Sequence, residues 1–127
     1  MKRRYVFDSG ALIAAERRKE RALRFLRLVH VGAADVIVPL PVIAEWWRGR
    51  TDDRELILGA VRVDASVEAT KAAGMALAKR GGGDAGLTID AIVMATAALL
   101  DAVLITQDPH DFVRLASHFP GVTVLSV

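Results

Sequence analysis

The chain has 127 residues, 53% of them hydrophobic and 25% charged, which fits one ordinary globular domain and excludes a disordered chain or two independent cores. Its formal charge is only +2, from 17 basic and 15 acidic residues, so the placement of charge says more than the total. Cysteine is absent, which excludes a disulfide framework and thiolate metal sites and leads us to expect a reducing, cytoplasmic setting.

The opening MKRRYVFDSG starts basic like a secretory signal, but Asp8 interrupts its apolar part. No run approaches the roughly 20 apolar residues of a membrane span, so no membrane association is expected. Residues 5–7 (YVF) read as a buried strand, and GALIAAE (10–16) as a helix that Asp8 or Ser9 would cap. In ERALRFLRLVH (20–30), Ala22, Phe25, Leu26 and Val29 share one helical stripe while Arg21, Arg24 and Arg27 lie off it. With Arg17, Arg18 and Lys19 they form a basic stretch that reads either as a phosphate-facing surface or as a solvated helix face.

A second strand is expected at 36–38 (VIV), followed by a helix over 41–48 (PVIAEWWR) with Pro41 in its first turn. Trp46 and Trp47 are adjacent and must point to different sides, so one can fill the core while the other joins an interface. A weaker strand at 61–63 (VRV) precedes a helix over 66–79. RGGGDAG (80–86) then reads as a loop that lacks the glycine spacing and the Lys-Ser/Thr of a phosphate cradle. TIDAIVMATAALL (88–100) is apolar nearly all round and predicts a buried helix, turning through Asp101 into strands at 103–106 (VLIT) and 122–127 (VTVLSV). This alternation predicts a single α/β domain, a mainly parallel sheet of four to five strands flanked by helices on both faces. Ligands of such sheets sit at the carboxyl ends of the strands.

Asp8 follows the first strand and Asp108 follows VLIT, so a parallel sheet brings both to one rim. Glu45, one turn into its helix, and Asp90, at the start of the buried helix, can lean over the same rim. Each has a plainer reading: Asp8 as a cap, Glu45 paired with Arg48, Asp90 favouring a helix N-terminus, and Asp108 as an N-cap before Pro109. Converged, however, they repel. At about 7 Å and an effective dielectric near 20 each pair costs roughly 2 kcal/mol, and the set on the order of 10 kcal/mol, comparable with the whole stability of a small domain. Such a cluster must hold protons or be neutralised by a cation. Oxygen ligands favour Mg²⁺ or Mn²⁺, and His30, His110 and His118 make no zinc spacing, His110 reading best as a surface residue. Carboxylate-held Mg²⁺ suits phosphodiester hydrolysis.

Taken in order, VFDSGALIA, LPVIAEWWRG, DAIVMATAALLDAVLIT and TQDPHDF make the chain resemble, over essentially its whole length, the PIN domain, and most closely the small VapC-type toxins of toxin-antitoxin pairs. The resemblance implies one PIN-like nuclease domain over residues 1–127. It implies Asp8, Glu45, Asp90 and Asp108 as the catalytic, metal-binding quartet of a Mg²⁺- or Mn²⁺-dependent ribonuclease. Ser9 and Thr106 would support the site through their hydroxyls, and Asp111 would be a peripheral contact or a cap. It implies an RNA substrate, a cognate VapB-type antitoxin whose tail blocks the acidic groove, and a homodimer. Asp101 stands where the family often has glycine, which questions a turn and leaves the site untouched. The competing reading is a catalytically inactive PIN-like module that binds RNA or a protein. An aspartyl-phosphate enzyme fits poorly, because Gly10 stands where its second aspartate would be.

Overall fold

The computed structural model describes residues 2–81 and 85–127, so the centre of the loop expected at 80–86 lies outside the described residues. The strands are β1 (Arg3–Phe7), β2 (Ala34–Pro39), β3 (Arg62–Asp64), β4 (Val103–Thr106) and β5 (Val124–Ser126). They form one sheet in the order β3-β2-β1-β4-β5, and every neighbouring pair is parallel. The expected strand at 103–106 is β4, the weak one at 61–63 is the edge strand β3, and the final one is shorter than its apolar run.

The helices are α1 (Ser9–Glu16), α2 (Glu20–His30), α3 (Leu40–Trp46), α4 (Asp52–Ala60), α5 (Val67–Lys79) and α6 (Ala85–Leu100), with a 3-10 helix over Pro109–His118. Pro41 lies in the first turn of α3, and Ser66 caps α5 by accepting from the Ala69 amide. The sequence reading had no element at α4. Its apolar residues Leu56, Ile57 and Leu58 are consecutive and carry no helical period. Local chemistry supplies the helix instead, through the Thr51 cap on Arg54 N and the acids Asp52, Asp53 and Glu55 in the first turn.

Strand order sets the layers. From β1 the chain moves outward through β2 to β3, then returns to the other side of β1 for β4 and β5. Right-handed crossovers put α1 to α4 on one face and α5, α6 and the 3-10 helix on the other. The contacts agree: Tyr5 and Phe7, two apart on β1, both meet the Phe25 ring of α2 edge-on, at 4.7 and 6.0 Å between centroids, while Val6 between them is buried against the opposite layer. Residues 91–97 of α6 are all buried, as its all-round apolar pattern requires. Trp46 is the core tryptophan, its Nε1 donating to Glu16 at 3.0 Å, and Trp47 is half-buried edge-on against it. Asp101 takes a left-handed φ of 52° at the exit of α6, so aspartate performs the turn for which glycine is the usual choice. Among the described residues no helix is long and apolar enough to cross a membrane.

Candidate active site

The direction reversal lies between β1 and β4, and a parallel sheet opens a crevice at the carboxyl ends of such a pair. Register fixes what meets there. Phe7 pairs with Ile105, so the next residues, Asp8 and Thr106, arrive together. Thr106 Oγ1 donates to Asp8 Oδ2 at 2.6 Å across 98 residues of sequence, and the Ala11 amide donates to Asp8 Oδ1 at 2.8 Å. Asp8 is therefore both the cap of α1 and a member of the rim; the two readings do not compete. The same Thr106 hydroxyl accepts from the Asp108 amide at 3.1 Å, which ties the start of the 3-10 helix to the site.

Electrostatics draws in the other acids. Burial pushes the Asp8 carboxyl up to about 6, with the charges of Glu45 and Asp111 adding to it and the hydrogen bonds from Thr106 and Ala11 opposing it. Burial likewise pushes Asp90 up to about 7, helped by Asp111, Glu45 and Asp8 and opposed by Arg114. The charges of Glu45 and Asp111 thus both reach Asp8 and Asp90 at the rim. Asp108 is the exception among the expected quartet. It occupies the N-cap position before Pro109, but its exposed side chain makes no capping hydrogen bond, and the neighbouring acids that weigh most on Asp8 and Asp90 are Glu45 and Asp111.

The plainer readings of Glu45 and Asp90 lose ground. Arg48 Nε donates to the Glu45 main-chain oxygen at 3.1 Å, not to its carboxylate. Asp90 sits beyond the first turn of α6, which starts at Ala85, so the helix N-terminus does not account for it. Ser9 opens α1 beside the site, and among the described residues its hydroxyl has no hydrogen-bond partner.

Three contributors escaped the sequence reading. Gln107 follows Thr106 at the strand exit, and its Nε2 donates to the Gly10 carbonyl at 2.7 Å while its Oε1 accepts from Lys19 at 2.8 Å. The approach is close: a Cβ on Gly10 would stand 3.3 Å from Asp8 Oδ1 and 3.4 Å from Gln107 Cβ. Arg114 brings a cation to Asp90 from the 3-10 helix. For Gln107 the signal in the sequence was position, since residues just past a parallel strand face the rim; Arg114, inside the 3-10 helix, carried no such signal.

All the donors are carboxylates, and two have proton affinities raised first by burial and further by neighbouring carboxylates, a condition that a hard divalent ion relieves. The donor set therefore fits Mg²⁺ or Mn²⁺. As the side chains stand, no group of three or more His, Asp or Glu among the described residues is gathered closely enough to hold an ion.

The family model described as the PIN domain matches residues 5–117. Comparison with curated protein sequences gave no significant match. Among solved structures, the chain superposes on one in the Rickettsia felis VapBC2 complex bound to a promoter DNA fragment, with a TM-score of 0.74 and 16% identity over 98% of each chain. A toxin-antitoxin complex from Klebsiella pneumoniae gives 0.69 and 19%, over 97% of this chain and 99% of that one. The DNA-bound VapBC of Salmonella typhimurium gives 0.66 and 16%, over 99% and 98%. At such identities the likeness is one of fold.

Proposed function

The chain belongs to the PIN domain family, and from that premise we propose that residues 1–127 act as a metal-dependent endoribonuclease, the VapC-type toxin of a toxin-antitoxin pair. The observation that carries the reading is that the charge of Glu45 reaches both Asp8 and Asp90 at the β1/β4 crevice, with Asp8 and Asp90 pushed up to about 6 and 7. Burial is the largest cause of both shifts, but the neighbouring carboxylates add to each. A structural cap or a surface ion pair gives an acid no reason to be crowded by other acids.

In this reading Asp8, Glu45, Asp90 and Asp108 hold Mg²⁺ or Mn²⁺, with Asp111 close by. The bound ion supplies positive charge and Lewis acidity for hydrolysis of an RNA phosphodiester. Asp8 is the best-positioned carboxylate, because Thr106 and the Ala11 amide fix both of its oxygens. Gln107 braces the crevice by joining the start of α1 to the exit of β4. Glu45 and Asp90 come from helices on opposite faces of the sheet, so they close on the crevice from its two sides. The reading also takes a VapB-type antitoxin as partner, a homodimer as the working unit and the cytoplasm as the setting. The fold shared with chains of toxin-antitoxin complexes supports the partner.

Incubating single-stranded RNA with the purified chain, in Mg²⁺ or in chelator, tests the proposal. Cleavage should require the metal and should vanish in Asp8→Asn and Asp90→Asn with the circular dichroism spectrum intact. RNA binding without metal-dependent cutting by the wild type would favour the inactive binding module instead.

A further inference from the structure

The basic stretch around α2 divides into residues that are engaged and three that are not, Arg17 just past α1 and Arg21 and Arg24 on α2 itself. Arg18 faces Asp53 at 3.5 Å, Arg27 is paired with Glu20, and Lys19 is held by Gln107. Among the described residues Arg21 and Arg24 make neither an ion pair nor a hydrogen bond, and Arg24 contributes only a longer-range attraction to Glu20. Three residues apart on one helix, they present their guanidinium groups on one face. Arg21 and Arg24 are both exposed, and with Phe25, Leu125, Ser126 and Val127 they line a groove of roughly 200 Å³ between α2 and the end of β5.

The groove adjoins the acids. The Val127 amide donates to the Thr106 carbonyl at 2.9 Å, and the Thr106 hydroxyl donates to Asp8, so the far wall of the groove stands one strand away from the carboxylate rim. Lys19 and Gln107, hydrogen-bonded to each other, connect the start of α2 to the exit of β4 between the two. A cationic groove thus leads toward an anionic crevice.

We propose that Arg21 and Arg24 form a phosphate subsite that holds the RNA strand as it leaves the crevice. The identity of the strand as RNA rests on the function proposed above; the groove and its two unpaired arginines do not. Guanidinium forks match phosphate oxygens bidentately, and a nucleic-acid strand carries a charge at every residue, so one strand can engage both arginines and continue to the rim. The groove holds backbone and not bases. Phe25 is the aromatic residue lining it, and its ring is already packed against Tyr5 and Phe7, so it offers no free face for stacking. The subsite therefore strengthens binding without selecting sequence.

Fluorescence anisotropy with a labelled single-stranded RNA of about 12 nucleotides, in chelator so that nothing is cut, reads the subsite through its salt dependence. In Arg21→Gln/Arg24→Gln the slope of log affinity against log salt should fall by about 1.4, about 0.7 for each lost phosphate contact, which weakens binding about 25-fold near 0.1 M salt against a 1 M reference. A charge-matched control, Arg62→Gln/Lys79→Gln, at the β3 edge and the end of α5, should leave both quantities near wild type. Equal loss in the control, or an unchanged slope in the double variant, overturns the subsite. Displacement of the RNA by polyglutamate at a lower concentration than by unlabelled RNA assigns the groove to an acidic peptide and also overturns it. Because binding is read without cleavage, a chain that cuts nothing still answers the question, and a cutting enzyme whose salt slope ignores the arginines loses only this inference.

Discussion

Asp90→Asn in metal-free protein should raise stability at alkaline pH. The carboxyl of Asp90 stands near 7 in the fold against 3.8 in a model peptide, about three pH units, and each unit corresponds to about 1.4 kcal/mol, so the charged form is disfavoured by about 4 kcal/mol. Asp90 is only partly buried, and solvent screening reduces this to about 2 kcal/mol. With an unfolding entropy of about 2.1 cal/mol/K per residue over 127 residues, the asparagine variant should melt about 7 °C higher. The pH dependence has a definite sign. A carboxyl raised by the fold holds its proton where the unfolded chain has lost it, so wild-type stability falls as pH rises from 3.8 through about 7 and then levels off. Thermal unfolding followed by circular dichroism in chelator should therefore show the full gap between variant and wild type near pH 8.5 and almost none near pH 4. A variant no more stable than wild type at the higher pH, or a gap of equal size at both, would refute the idea that burial and neighbouring negative charge together disfavour the ionised Asp90.

The other acids separate by their partners. Asp8→Asn removes a charge but also turns an amide donor toward the Thr106 hydroxyl, at a cost of about 1–3 kcal/mol, so its melting temperature should gain less than that of Asp90→Asn in the same assay. Thr106→Val should lower stability by about 1–3 kcal/mol in urea titration, because it strips one oxygen of the buried Asp8 of its donor and frees the Asp108 amide. Asp111→Asn should raise the metal-free melting temperature more than Asp108→Asn, since Asp111 is the acid that weighs on both Asp8 and Asp90; the opposite order in differential scanning fluorimetry would return Asp108 to the centre of the cluster. Mg²⁺ or Mn²⁺ at about 100 times its dissociation constant should stabilise the wild type by about 2.7 kcal/mol and Asp90→Asn much less, as read by the same melts.

Much of this architecture was legible in one dimension. Apolar runs such as VLIT and the all-round apolar 88–100 segment have a single good use in a domain of this size, and their alternation with helices dictates a parallel sheet. That in turn places Asp8 and Thr106 at one rim, because residues just past parallel strands share an end. The short helix α4 was hidden, since its apolar residues carry no period and its cap does the work.

The sequence by itself determined which segments are buried and which acids stand at strand exits and helix starts, because periodicity and polarity are local properties of the chain. Only the tertiary structure decided which of those acids weigh on one another and which arginines stay unpaired. Asp111 and Asp108 are three residues apart and equally plausible on paper, yet their effect on Asp8 and Asp90 depends on how the 3-10 helix packs against α6. Arg21, Arg24 and Arg27 look alike on α2, yet Arg27 finds Glu20 while the other two face the end of β5. Such choices rest on register between strands some 100 residues apart in the chain, and electrostatic coupling falls with distance in space, not in sequence.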